Sequence, residues 1–222
     1  MGKLIVIEGL DGSGKSTQLE LLYKNLTEKG IDCRTVSFPD YEHPSSTLVK
    51  MYLSGEFGDK PGDVNAYAAS AFYAVDRYAS FKKYWSDYYN RGGVVIAGRY
   101  VTSNAVHQNS KLPENEWKGF LDWLYDFEYN KMGIPAPDKV IFLDMPIEVS
   151  QKLMTGRYNG DEQKKDIHER DTDYLEHCRK SAVFTADYSG WDIISCAKDN
   201  EARTVEDISH DVLNEVLSVI KK

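Results

Sequence analysis

The run Gly9-Leu10-Asp11-Gly12-Ser13-Gly14-Lys15-Ser16 has the residue types and spacing of a phosphate cradle, Gly-x-x-x-x-Gly-Lys-Ser. Its glycines let backbone N–H groups turn inward around phosphate oxygens, and a helix starting at the end of the loop adds partial positive charge. Lys15 is long enough to reach the β- and γ-phosphates of a nucleoside triphosphate, and the Ser16 hydroxyl can ligate Mg2+. The candidate triphosphate-binding set is Gly9, Asp11, Gly12, Ser13, Gly14, Lys15, Ser16 and the adjoining Thr17. The motif alone does not choose between an ATPase, a GTPase and a kinase. No guanine-reading Asn-Lys-x-Asp stretch is present, and the short chain favours a nucleotide or metabolite kinase over a motor.

Positioning such a cradle needs a strand before it and a helix after it, and the sequence supplies both. Strands are expected at Lys3–Glu8, Cys33–Phe38, Gly93–Ala97, Lys139–Leu143 and Asp192–Cys196, apolar throughout as for strands covered on both faces. They alternate with helical patterns, which predicts an α/β fold with a parallel sheet. Leu19, Leu22 and Leu26 form the stripe of a first helix, with Gly30 placed to end it. A long helix is expected from Val64 to Tyr89 with a buried stripe of Tyr67, Ala71, Ala74, Tyr78, Phe81 and Trp85, and a final helix near Val205 to Ile220. Between Thr155 and Lys165 the pattern dissolves into a polar, Gly-containing segment: a surface loop, or a basic loop that closes over phosphates.

The chain has 222 residues and a formal net charge of −8, with a pI of about 5.2. That balance argues against nucleic-acid binding, so an anionic ligand needs a local cluster of Arg and Lys. Cys33, Cys178 and Cys196 are scattered and odd in number, which reads as buried free thiols in a reducing compartment. The chain starts at once with the strand-like run Leu4-Ile5-Val6-Ile7, and its apolar runs are too short to span a bilayer; a cytoplasmic protein with no membrane partner is expected.

Over nearly its whole length the chain resembles the thymidylate kinase family. The resemblance is carried by Ile7-Glu8-Gly9 through Thr17, Phe38-Pro39-Asp40-Tyr41, Phe72-Tyr73-Ala74-Val75-Asp76-Arg77, Gly98-Arg99-Tyr100-Val101-Thr102-Ser103-Asn104, Pro137-Asp138 and His168-Glu169-Arg170-Asp171. It implies phosphorylation of thymidine 5′-monophosphate (dTMP) to the diphosphate by ATP with Mg2+. It also implies a doubly wound, roughly five-stranded P-loop fold of the nucleoside monophosphate kinase type with helices on both faces. A single domain over 1–222 with a short lid at about 155–170, and a homodimer, complete the expectation. The acceptor set it implies is Asp11, Phe38, Tyr41, Tyr73, Arg77, Arg99, Ser103, Asn104 and His107; for the metal it implies Ser16, Asp11 and Glu169.

These residue types suit those roles. Tyr73 and Arg77, spaced i, i+4, project from one helix face, where an aromatic ring can stack on a pyrimidine while Arg donates to a carbonyl oxygen. Arg99 follows the third strand, where open α/β sheets hold ligands. Some members of the family carry a catalytic Arg in this cradle and others carry it in the lid; this cradle has none, so the resemblance implies Lys15, Arg99 and one or more of Arg157, Lys164 and Lys165 from the lid as the catalytic cations. Three positions depart from the family pattern. Gly98 stands where Asp is usual, which removes a carboxylate near Mg2+ that Asp11, Glu169 or Asp144 could replace. Asp40 replaces a common Arg, and His107 replaces an aromatic that crowds the sugar 2′ position. Alternative readings are a kinase for another pyrimidine monophosphate or a deoxynucleoside, and a degenerate nucleotide-binding regulatory protein.

Overall fold

The computed structural model describes residues 1–58, 60, 62–157 and 172–220, with side chains at 154–157, 172 and 173 left aside. Strands β1 (Lys3–Gly9), β2 (Cys33–Ser37), β3 (Val94–Gly98), β4 (Lys139–Asp144) and β5 (Asp192–Ser195) form one parallel sheet in the order β2-β3-β1-β4-β5. Each lies within a residue of its expected bounds. The chain leaves β1 toward β2 on one side and leaves β3 toward β4 on the other. That reversal opens a crevice at the carboxyl ends of β1 and β3, where Gly9 and Gly98 lie.

Helices α1 (Lys15–Glu28), α2 (Thr47–Leu53), α3 (Ala66–Ser80), α4 (Ser86–Asn90), α5 (Val101–His107), α6 (Trp117–Tyr125), α7 (Ile147–Arg157), α8 (Thr172–Ser189) and α9 (Val205–Ile220) surround the sheet. Strand alternation divides the core. Ile5 and Ile7 face Leu22, Leu26, Val212 and Val216 of α1 and α9, while Leu4 and Val6 pack with Trp85, Phe120 and Leu124 on the opposite face. Gly30, at φ +76°, ends α1: its N–H reaches the Thr27 carbonyl at 2.9 Å and that of Ile31 reaches Leu26 at 3.0 Å. After β5 a short antiparallel hairpin, β6 (Ala197–Lys198) and β7 (Glu201–Ala202), turns through Asp199 and Asn200, both at positive φ.

Two expectations need correction. Only β1, β3 and β4 of the sheet are buried nearly throughout; the edge strand β2 exposes Arg34, Thr35 and Ser37, and the edge strand β5 exposes Ile193 and Ser195. The long helix begins at Ala66 rather than Val64, since the Asn65 side chain caps it by accepting from the Ala68 N–H at 2.9 Å. It then widens into a π-turn at Phe81–Trp85 before α4. Its Tyr67 and Tyr78 are exposed. The buried face instead holds Ala66, Ala69, Ser70, Ala74, Asp76 and Arg77, because both charges there find partners.

The three cysteines are buried and free, as expected, and burial pushes the Cys178 and Cys196 thiols up to about 11 and about 12. Among the described residues no helix is long and apolar enough to cross a membrane. Helix α7 continues to Arg157, past the start of the expected loop. The rest of the lid, with Lys164, Lys165 and Glu169, and the side chain of Arg157 lie outside the described residues.

Candidate active site

The cradle forms where β1 runs out at Gly9 and α1 begins at Lys15. Gly12 and Gly14 adopt φ +78° and +86°, a region that a side chain would strain. A Cβ on Gly9 would sit 2.5 Å from Ser13 Oγ and 3.0 Å from the Leu143 carbonyl, so the loop closes only around glycine. Ser13 is 2% exposed and its hydroxyl has no partner among the described residues. Ser16 and Thr17 lie exposed in the first turn of α1. Lys15 Nζ folds back to donate to the Leu10 carbonyl at 2.7 Å and lies 3.6 Å from Asp11 Oδ1. Burial first, and the Arg99 charge second, lower its ammonium from 10.5 to about 8.

Arg99 stands across the crevice, directly after β3. Its backbone sits at φ +64°, a conformation rarely held by a non-glycine residue away from functional sites. The guanidinium ion-pairs with Asp11 through Nη2. Its Nη1 lies 3.2 Å from His107 Nε2 and 3.5 Å from Ser103 Oγ. A guanidinium only donates, so the His107 nitrogen accepts. Asp11 therefore holds both Lys15 and Arg99.

Beside Arg99 opens a pocket of about 180 Å³. It is lined by every acceptor-side residue expected from the sequence: Asp11, Phe38, Tyr41, Tyr73, Arg77, Arg99, Ser103, Asn104 and His107. Phe38 is buried against Tyr100, with ring centroids 5.9 Å apart, while Tyr41 is exposed at the mouth. Tyr73 meets Tyr52 edge-on at 6.3 Å, and burial raises its phenol well above the usual range. The loop carrying Tyr41 is pinned to α3, because Asp76 accepts from the Asp40 N–H at 2.8 Å and Ser45 Oγ at 2.6 Å. Asp40 itself pairs with His43 at 2.6 Å, so its carboxylate serves the loop.

Arg77 is not solvated. Its Nε and Nη2 donate to Glu128 at 2.7 and 2.6 Å and its Nη1 donates to the Tyr100 carbonyl at 3.2 Å. This leaves two N–H groups for a ligand. Asn104 donates to the Ser70 carbonyl at 3.2 Å and to Glu128 Oε1 at 3.4 Å. Sequence reasoning missed Tyr52 and Leu53 of α2, Tyr174 and Leu175 of α8, and Gln108, all of which line the same pocket. Gln108 is 4% exposed and its buried Oε1 has no partner among the described residues. A buried unpaired amide in a pocket wall marks a place for a ligand's hydrogen bond. Its i, i+4 spacing from Asn104 was the signal that could have found it.

Gly98 faces a second cavity of about 240 Å³ lined by Lys15, Ser16, Ser37, Phe38, Tyr41 and Arg99 among others. A Cβ there would meet Leu19 Cδ2 at 3.0 Å and Ser37 Oγ at 3.5 Å. Asp144, one of the carboxylates that could replace the one Gly98 lacks, is held by Arg179 through two hydrogen bonds of 2.9 Å. Among the described residues no group of three or more His, Cys, Asp or Glu could hold a metal by itself. The donors at the cradle, the Ser16 hydroxyl and the Asp11 carboxylate, are hard oxygens of the kind Mg2+ takes alongside phosphate oxygens and water.

Comparison with known proteins gives a consistent match. The model of the family "Thymidylate kinase" matches residues 7–208. The chain is 33% identical over 184 residues to the thymidylate kinase of Mycobacterium tuberculosis, covering 82% of this chain and 83% of that protein. It is 24% identical over 215 residues to the probable thymidylate kinase of Caldivirga maquilingensis, covering 97% and 91%. The solved thymidylate kinase of Candida albicans superposes with a TM-score of 0.72 over 99% of this chain and 92% of that one, at 22% identity, a likeness of fold.

Proposed function

The chain belongs to the thymidylate kinase family and, as an ATP-dependent phosphotransferase, phosphorylates dTMP; we propose that the transfer takes place between the Gly9–Ser16 cradle and Arg99. One observation carries this reading. Lys15 of the donor loop and Arg99 of the acceptor side are held by the same carboxylate, Asp11. Two cations so placed are ready to receive two phosphates that must approach each other. Incoming phosphoryl groups exchange for Asp11 on both cations and free its carboxylate.

The acceptor is a phosphate monoester with a second pKa of about 6, already ionised at neutral pH, so no general base is required. The protein aligns two anionic groups and neutralises the charge between them. Lys15 contacts the donor's terminal phosphates and Arg99 the acceptor phosphate. Ser16, Asp11 and Glu169 hold Mg2+, which when bound neutralises phosphate charge. Arg157, Lys164 or Lys165 contributes the cation that the cradle itself lacks. Tyr73 and Phe38 sandwich the thymine, the spare N–H groups of Arg77 donate to a base carbonyl, and the Gln108 amide pairs with the base's polar edge. Gly9, Gly12, Ser13, Gly14 and Thr17 complete the ATP site.

The chain acts as one domain, 1–222, with a lid-like segment at about 155–170, in the cytoplasm and as a homodimer. Exposed Leu48 on α2 and Val75 and Tyr78 on α3 support a further protein contact there. A coupled ADP-release assay with ATP, Mg2+ and a panel of nucleosides and monophosphates tests the activity. Turnover with dTMP above all others is expected. Preference for another acceptor, or tight ATP binding without turnover, would replace the reading by one of the alternatives.

A further inference from the structure

Glu8, the residue before Gly9 on β1, is fully buried. A carboxylate taken out of water must be repaid by donors, and here they come from both halves of the site. Its Oε1 accepts from the Gly9 N–H at 3.0 Å, at the first residue of the cradle. Its Oε2 accepts from Thr102 Oγ1 and Ser103 Oγ, each at 2.7 Å, in the first turn of α5. Arg99 Nη1 lies 3.9 Å from Oε1.

These contacts fix more than the fold. Ser103 has a single hydroxyl proton, and Glu8 takes it. Ser103 therefore turns a lone pair toward Arg99 Nη1, 3.5 Å away, and has no proton left to donate to a ligand. Arg99 thus has two carboxylate neighbours among the described residues, and they differ in kind. Asp11 is 26% exposed at its side chain and can be exchanged for phosphate; Glu8 is 1% exposed, tied by three hydrogen bonds, and stays.

We propose that Glu8 is a positioning residue: it holds Arg99 and Ser103 in the orientation needed for transfer and couples the donor loop to the acceptor helix. The proposal rests on the role given to Arg99 above, acting through that residue and not on substrate.

The test is a double-mutant cycle in the full-length enzyme, Glu8→Gln with Arg99→Ala, read as single-turnover rate and as KM for ATP. Glu8→Gln is expected to slow transfer about 10-fold or more with KM for ATP changed less than about 2-fold, and to have almost no further effect once Arg99 is removed. Equal losses in both backgrounds, or no loss in the wild type, would overturn the positioning role. A wild-type rate in Arg99→Ala would instead refute the role of Arg99, and this proposal with it. If Glu8→Gln does not fold, Ser103→Ala, which removes the hydroxyl linking Glu8 to Arg99, is put through the same cycle with the same outcomes decisive.

Discussion

Arg77 and Glu128 form a buried two-pronged ion pair, with Nε to Oε2 at 2.7 Å and Nη2 to Oε1 at 2.6 Å, behind the wall of the acceptor pocket. The pair fixes the plane of the Arg77 guanidinium, which lines that pocket. It joins α3 to the turn after α6, elements that share no local sequence signal.

Removing one partner strands the other charge in the core. Glu128→Ala should lower unfolding free energy by about 3–5 kcal/mol, measured by urea denaturation. It should also raise KM for dTMP while KM for ATP stays near wild type. Unchanged stability would mean that Arg77 finds water or another acceptor.

Gln108 gives the opposite combination. Its buried Oε1 has no partner among the described residues, so Gln108→Met should leave stability equal or slightly higher, yet weaken dTMP by about 1–2 kcal/mol, roughly 5- to 30-fold in KM. Thermal unfolding and acceptor KM measured on the same variant check both signs. An unchanged KM would remove Gln108 from the base site.

Lys15 predicts a pH signature. Its ammonium is lowered to about 8 by burial, and the triphosphate needs it protonated. ATP affinity should fall as pH rises through 8, and binding at pH 8 should take up about half a proton, seen as a buffer-dependent enthalpy in calorimetry. For stability the sign is reversed. Between about 8 and 10.5 the unfolded chain holds the proton that the folded one has lost, so this residue's contribution to stability rises with pH across that window. Lys15→Met should abolish both effects.

The lid cation is tested by Arg157→Ala. With no Arg in the cradle, kcat should fall by about 10²- to 10³-fold while acceptor affinity changes little. Unchanged kcat would pass the role to Lys164 or Lys165, to be substituted next.

Much of this molecule could be read from its residues because the signals are local. The cradle is a contiguous motif, and the central strands announce themselves by apolar runs. Tyr73 and Arg77 sit at a fixed spacing on α3, Ser103, Asn104 and His107 on α5, and Arg99 two residues before that helix. What escaped depends on distant partners. Nothing near Arg77 points to Glu128, and nothing near Glu8 shows that Thr102 and Ser103 will cap its carboxylate. Tyr67 and Tyr78 are exposed while Asp76 and Arg77 of the same helix are buried with partners, where periodicity alone favoured the aromatics. The edges of the sheet are set by strand order, which no single strand encodes.

The site passes a phosphoryl group from ATP to dTMP. The most direct measurement is chromatographic quantitation of both products after mixing the enzyme with ATP, Mg2+ and dTMP. ADP and dTDP should appear in equal amounts, with neither formed at a comparable rate when dTMP is omitted. ADP formed without dTDP, or no reaction despite saturable ATP binding, would contradict it.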